Sequence, residues 1–171
     1  ARAGNVIGGG DFAEHRIIPD IVESIVNDEA VILRSPKSIR PWQHVLDALN
    51  GYLLLAKNLF IDREKFSTSF NFSSQDNSHN HTVEYITQTF IKTFNTGKYV
   101  IDNKLQKLHE ATHLRLDSSK ARNMLNWQPA LNTEQSIDFA VAWYEGFVNK
   151  KASARDLTLE QISKYNQLIK L

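Results

Sequence analysis

"RAGNVIGGGD", residues 2–11, runs an apolar-leaning stretch straight into three consecutive glycines and an aspartate. Two phosphate-binding motifs are tested against it first. A P-loop needs two glycines with four residues between them and then Lys and Ser/Thr. Gly4 and Gly9 have that spacing, but Gly10 and Asp11 follow, so the phosphate-seeking amine and the magnesium-binding hydroxyl are missing. A dinucleotide fingerprint spaces its glycines along a strand-to-helix turn. Here Gly8, Gly9 and Gly10 are consecutive and no later glycine completes the pattern. Both motifs fail. The stretch reads as a short strand over 3–7 leading into a loop that needs positive φ or close backbone approach.

Working outward, strand-like and helical segments alternate. A helix follows the glycine loop, with Pro19 early and Ile18, Ile21, Val22, Ile25 and Val26 as a one-sided stripe. "VILR" (31–34) is a compact strand. Val45, Leu49, Tyr52, Leu53, Ala56 and Phe60 recur at helical spacing. "SFNFSS" (69–74) alternates Phe70 and Phe72 as a half-buried strand does. Thr82 caps a helix carrying Val83, Ile86, Phe90 and Phe94. "YVI" (99–101) and "HLRL" (113–116) are further short strands. Asp117 or Ser118 caps a short helix that Pro129 prevents from continuing. Asn132 with Gln135 forms a capping-box pattern before Ile137, Ala140, Val141, Tyr144 and Phe147. A last amphipathic helix carries Leu159, Ile162, Tyr165 and Ile169. The pattern is mixed α/β.

Bulk properties bound the function. The chain has 171 residues, 42% hydrophobic and 23% charged, enough for a real core and one domain or one and a half. A net charge of +1 offers no field for nucleic acid. The absence of cysteine removes disulfide and thiolate chemistry and suits a reducing, cytoplasmic setting. No apolar run approaches a membrane span. The chain opens at Ala1 and has its single methionine at Met124, the pattern expected of a piece of a longer protein.

Metal-site patterns are thin. His79, His81 and Asp76 share a polar loop without the i, i+4 pairing of a helical site, and a solvated turn is the better reading. "HEATH" (109–113) matches H-E-x-x-H, but that motif needs a long helix, and β-like sequence follows with no third ligand. No metal is expected. Arg40 stands before Pro41 and Trp42, so its backbone is extended. Its guanidinium either reaches outward from a rigid turn or stacks on Trp42.

Taken in order, "RAGNVIGGGD…IIPDIV", "VILRSP…IRPWQHVLDALNGYLLLA", "FNFSS" and "HEATHLRLDSSKARNMLNWQPALNTEQSIDFAVAWY" resemble the C-terminal half of extended short-chain dehydrogenase/reductases acting on nucleotide sugars. Within that group they look most like the 4,6-dehydratases acting on CDP-glucose. The resemblance covers nearly the whole chain. It implies an α/β fold made of the last strands of a Rossmann-type parallel sheet plus a smaller mixed α/β substrate-binding domain. Residues 1–171 would then be mainly nucleotide-sugar-binding, with the NAD-binding part upstream.

The implied partners are CDP-glucose or a related nucleotide-sugar, with a homo-oligomer as the assembly and deoxysugar and O-antigen synthesis as the setting. Asn5 falls where the family's asparagine donates to the substrate diphosphate. Arg40 falls on the arginine that grips the same diphosphate or the ribose. Arg16 and the backbone around Leu33 and Arg34 fall along the nucleotide half. His109 and Glu110 stand where many relatives have an arginine, with a contact to the cytidine as the expectation. The family's catalytic Tyr-x-x-x-Lys is not in this sequence: Tyr52, Tyr85, Tyr99, Tyr144 and Tyr165 are followed four positions on by Ala56, Thr89, Asn103, Val148 and Ile169. The resemblance therefore implies a substrate-binding portion, inactive alone and retaining no NAD. Another nucleotide-sugar epimerase or dehydratase, or a non-catalytic nucleotide-binding module, is the alternative. The other members of the first strand's sheet are expected to lie outside this sequence and its edges to be exposed, so residues 1–10 and the 69–74 strand are expected to pair with another copy or be poorly ordered.

Overall fold

A computed structural model describes residues 1–74, 81–102 and 116–169. Six short strands and seven helices are present among them, and all three strand pairs are parallel. β1 (Arg2–Ala3) pairs with β5 (Asn71–Phe72), β2 (Asn5–Ile7) with β4 (Trp42–His44), and β3 (Ala30–Leu33) with β6 (Lys98–Ile101). Parallel pairing demands crossovers, and helices supply them. α1 (Ile17–Val26) lies between β2 and β4, α2 (Val45–Ile61) between β1 and β5, and α4 (Val83–Phe94) between β3 and β6. The expectation that the first strand and 69–74 pair with another copy or are poorly ordered is corrected: Arg2 and Gly4 donate to the carbonyls of Phe70 and Phe72, so the two pair with each other.

Most helix ends form where side-chain chemistry predicts. Thr82 accepts from the Tyr85 N–H at 3.1 Å and starts α4. The Asn132–Gln135 capping box closes in both directions at the start of α6 (Thr133–Val148). At α5 (Ser119–Leu125) the carboxylate of Asp117 accepts from the Ser119 N–H at 2.8 Å, so Asp117 is the residue that bonds the helix start. α3 (Arg63–Phe66) is one turn, and α7 (Ala154–Ile169) closes the chain. The "HLRL" strand, the Asp76–His79 loop and the HEATH segment lie outside the described residues, apart from Leu116 at the end of the first.

Two apolar cores result. One joins α1, β3, α4 and α6 through Ile21, Leu33, Ile86, Phe90 and Tyr144; the other joins α2, β5 and α5 through Leu55, Phe70, Phe72 and Trp127. α1 buries its predicted stripe except Val26. α2 does the opposite. Its inward side carries Asp47, Ala48, Gly51 and Leu55, whereas Leu49, Leu53 and Phe60 of the apolar series point outward. Small residues explain the choice: a Cβ on Gly51 would lie 2.4 Å from the Phe72 ring, so only glycine lets α2 sit this close to β5. α7 buries Tyr165 of its predicted stripe and half-buries Ile162 and Ile169, leaving Leu159 exposed.

Asp47 ties the parts together. Its buried carboxylate accepts from the Ala130 N–H (2.7 Å), the Leu131 N–H (3.3 Å) and the Tyr165 hydroxyl (2.7 Å). Burial raises its pKa while these three donors pull it down, and the donors are what make a buried carboxylate tolerable. Tyr165 thereby anchors α7 on α2.

Candidate nucleotide cleft

The opening stretch builds one wall of a cleft of about 540 Å³. Gly4 must be glycine because a Cβ there would stand 2.5 Å from the Pro41 carbonyl oxygen. The strand therefore presses on the 40–42 segment, and Asn5 donates its N–H to that carbonyl at 3.0 Å. Register then sets Asn5 beside Trp42. The glycine triplet is shaped by packing. A Cβ on Gly8 would lie 2.7 Å from Val45, one on Gly9 would lie 2.1 Å from the Trp143 ring, and Gly10 takes φ +82°. The loop is squeezed between α2 and α6, as the reading of close backbone approach requires.

Beyond the glycines, the buried Tyr144 clasps the chain. Its hydroxyl donates to the Asp11 carbonyl at 2.6 Å and accepts from the Asp11 N–H at 3.0 Å. Burial and the Asp11 charge push its pKa to about 12, so it stays a neutral donor. The Asp11 carboxylate accepts from the Ala13 N–H and pairs with Arg16 at 3.0 Å, which folds residues 11–16 back over the cleft. His15, at φ 63°, supplies the tight bend that a straight run would lack.

The structure brings Asn5, Arg16 and Arg40 together on this one cleft, joined by Asp11, His15 and Trp42. Arg16 is also the N-cap residue of α1, so the positive end of that helix and two guanidinium groups share the space with one carboxylate. Arg40 donates to the Ile39 carbonyl at 3.1 Å, and the Trp42 indole N–H to the His81 carbonyl at 3.0 Å, fixing the floor. An excess of positive charge at a helix N-terminus suits an anion such as a phosphate.

The remaining predicted residues stand apart. Leu33 turns its side chain into the core and gives its carbonyl to the Asp102 N–H at 3.0 Å; Arg34 is exposed; neither lines the cleft. His109 and Glu110 lie outside the described residues. Sequence reasoning missed Asp11 and His15. The signal was faint: an acid five positions before an arginine, in a loop whose fold-back depends on Tyr144, 133 positions away. Among the described residues no group of three or more His, Asp or Glu could hold a metal. A second cavity, of about 490 Å³, is lined by His81 and residues between Gln128 and Gln135.

No protein-family profile matches the chain. Its fold is that of the C-terminal part of Rossmann-type nucleotide-sugar enzymes. It superposes with a TM-score of 0.64 on dTDP-glucose 4,6-dehydratase of Bacillus anthracis, solved with NAD, at 18% identity over 85% of this chain and 44% of that one. UDP-glucose 4-epimerase of Thermotoga maritima, solved with UDP-glucose, gives 0.58 at 18% identity over 84% and 44%. In sequence the chain is homologous to CDP-glucose 4,6-dehydratase of Salmonella typhimurium: 41% identical over 148 residues, which is 86% of this chain. It spans 41% of that enzyme's length. No helix of the described residues is long and apolar enough to cross a membrane.

Proposed function

We propose that this chain holds the nucleotide diphosphate of CDP-glucose, or of a closely related nucleotide-sugar, as the substrate-binding portion of a nucleotide-sugar 4,6-dehydratase. The observation that carries the reading is the convergence of Asn5, Arg16 and Arg40 on one cleft at the start of α1. The homology to a CDP-glucose enzyme supports the choice of nucleotide.

The chemistry of such a substrate matches the parts. A diphosphate carries negative charge on equivalent oxygens that a planar guanidinium can bridge with two hydrogen bonds. Asn5 adds a neutral donor beside it. Pro41 restricts the Arg40 backbone, which lowers the entropy lost on fixing the side chain. The reaction proposed for the whole enzyme is redox-neutral: hydride leaves C4, water is lost across C5 and C6, and hydride returns to C6.

NAD would supply that hydride relay, and the residues here do not fit it. The glycines are consecutive and closed against Trp143 and Val45, and no tyrosine is followed four positions on by lysine. Binding the cofactor and the proton transfers are therefore assigned to the part of the enzyme that this chain does not span.

Titration of CDP-glucose into the chain by calorimetry tests the reading. Arg40→Ala should weaken binding by roughly 1.5–3 kcal/mol, the range for a hydrogen bond to a charged group. That is on the order of 10- to 150-fold in affinity. Arg40→Lys keeps the charge without the fork and should recover only part of the loss. Unchanged affinity with a lowered melting temperature would make Arg40 a packing residue and remove it from the cleft's function.

A further inference from the structure

An anion site that holds a carboxylate works against itself, and this cleft holds one: Asp11 lines it together with Arg16 and Arg40. The residue is fixed twice over. Its N–H and carbonyl both bond the buried Tyr144 hydroxyl, at 3.0 and 2.6 Å. Its two carboxylate oxygens are taken separately, one by the Ala13 N–H at 3.1 Å and the other by Arg16 at 3.0 Å. A neutral amide could accept the same two bonds. The ion pair itself adds little to stability, because the Arg16 and Asp11 side chains are 65% and 34% exposed. What the carboxylate alone supplies is a fixed negative charge, and in an anion cleft that charge acts on the ligand.

We propose that Asp11 is a specificity-determining residue of this cleft, tilting its selection toward nucleoside diphosphates esterified at both phosphates, such as a nucleotide-sugar, and away from free nucleoside diphosphates. This role rests on the cleft's being the nucleotide site. Each phosphate of a nucleotide-sugar is a diester with a single charge. A free nucleoside diphosphate ends in a monoester, which ionises a second time near about pH 6. Arg16 and Arg40 alone would favour that extra charge, so the same nucleotide without its sugar would compete for the site. The carboxylate beside them offsets part of the advantage. A phosphate bonded to another edge of the Arg16 guanidinium would stand roughly 7 Å from it, where one unit charge changes affinity about threefold in the dielectric of water and more where water is excluded.

Three ligands separate charge from sugar: CDP-glucose, CDP, and CDP methylated on its terminal phosphate. They are titrated by calorimetry at about pH 8, where the terminal phosphate of CDP is fully ionised. Asp11→Asn keeps both acceptor positions and removes the charge. It should tighten CDP about threefold more than it tightens the methyl ester or CDP-glucose. Arg40→Ala should weaken all three ligands. If it does, and Asp11→Asn changes CDP and its methyl ester equally, the role of Asp11 is overturned and the nucleotide site stands. Weaker binding of all three in Asp11→Asn overturns it too, because Asp11 would then only orient Arg16. Binding indifferent to both substitutions would remove the nucleotide site and the role together.

Discussion

α1 and α2 each carry an apolar stripe, and the fold uses the two in opposite ways. In α1 the stripe of Ile18, Ile21, Val22 and Ile25 meets β3 and α4 and disappears into the core. In α2 the equivalent stripe of Leu49, Leu53 and Phe60 stays outside, and a side of small residues makes the contact. The difference lies in what each helix meets. α1 crosses over a strand pair and needs bulk to fill the space, whereas α2 lies against the rings of Phe72 in β5 and Trp127 beyond α5 that already fill it, so it needs glycine and alanine. Periodicity identifies a face; the volume of the neighbours decides whether that face goes in.

The contrast can be attacked first at its strongest point. Ile21 is fully buried, and Ile21→Ala should lower stability by about 2–5 kcal/mol through lost burial and a residual cavity. A loss near zero in urea unfolding would mean that the α1 face is not the core it resembles.

Next comes the end at which α2 is fixed. His44 is its N-cap and accepts from the Leu46 N–H at 3.3 Å through Nδ1, so the neutral ring serves the cap. Burial lowers its pKa to about 4 from 6.5. The unfolded chain therefore takes up the proton first, and this contribution to stability is full above pH 6.5 and drains away as pH falls toward about 4. The loss should reach about 3 kcal/mol, at 1.36 kcal/mol for each tenfold in proton affinity. Asp47, whose pKa is raised, titrates in the opposite sense and gains as pH falls, so the clean comparison is between wild type and His44→Gln. The variant should lose this slope between pH 6.5 and 4. Parallel stability curves for the two proteins would contradict the assignment.

The smallest effect sharpens the comparison most. Leu53 and Leu55 are two residues apart on α2, the first 71% exposed and the second 7%. Leu55→Ala should cost about 2–4 kcal/mol, whereas Leu53→Ala should stay within about 0.5 kcal/mol in the free chain. Similar losses at both positions would show that the outer face is covered within the chain itself.

Much of this was legible in the sequence because the signals were local. The capping box at Asn132, the cap at Thr82 and the alternation of Phe70 and Phe72 each depend on a few neighbouring residues, and each forms as read. Family resemblance singled out Asn5, Arg16 and Arg40, and the fold places the three on one cleft. The rest depended on distant partners. The squeeze of the glycine loop needs Trp143, the turn of Asp11 needs Tyr144, and the inward face of α2 needs Phe72 and Trp127. Asp47 is a buried knot whose donors lie 83, 84 and 118 positions on, and nothing in its neighbouring residues marks it.

The central claim is that the cleft of Asn5, Arg16 and Arg40 is where a nucleotide diphosphate binds. Titrating CDP into isotopically labelled chain and following backbone and indole N–H resonances tests it residue by residue. The account predicts saturable shifts at Asn5, Gly8, Arg16 and the Trp42 indole, all on that cleft. Shifts confined to His81 and the 128–135 segment would place the nucleotide in the second cavity and contradict it.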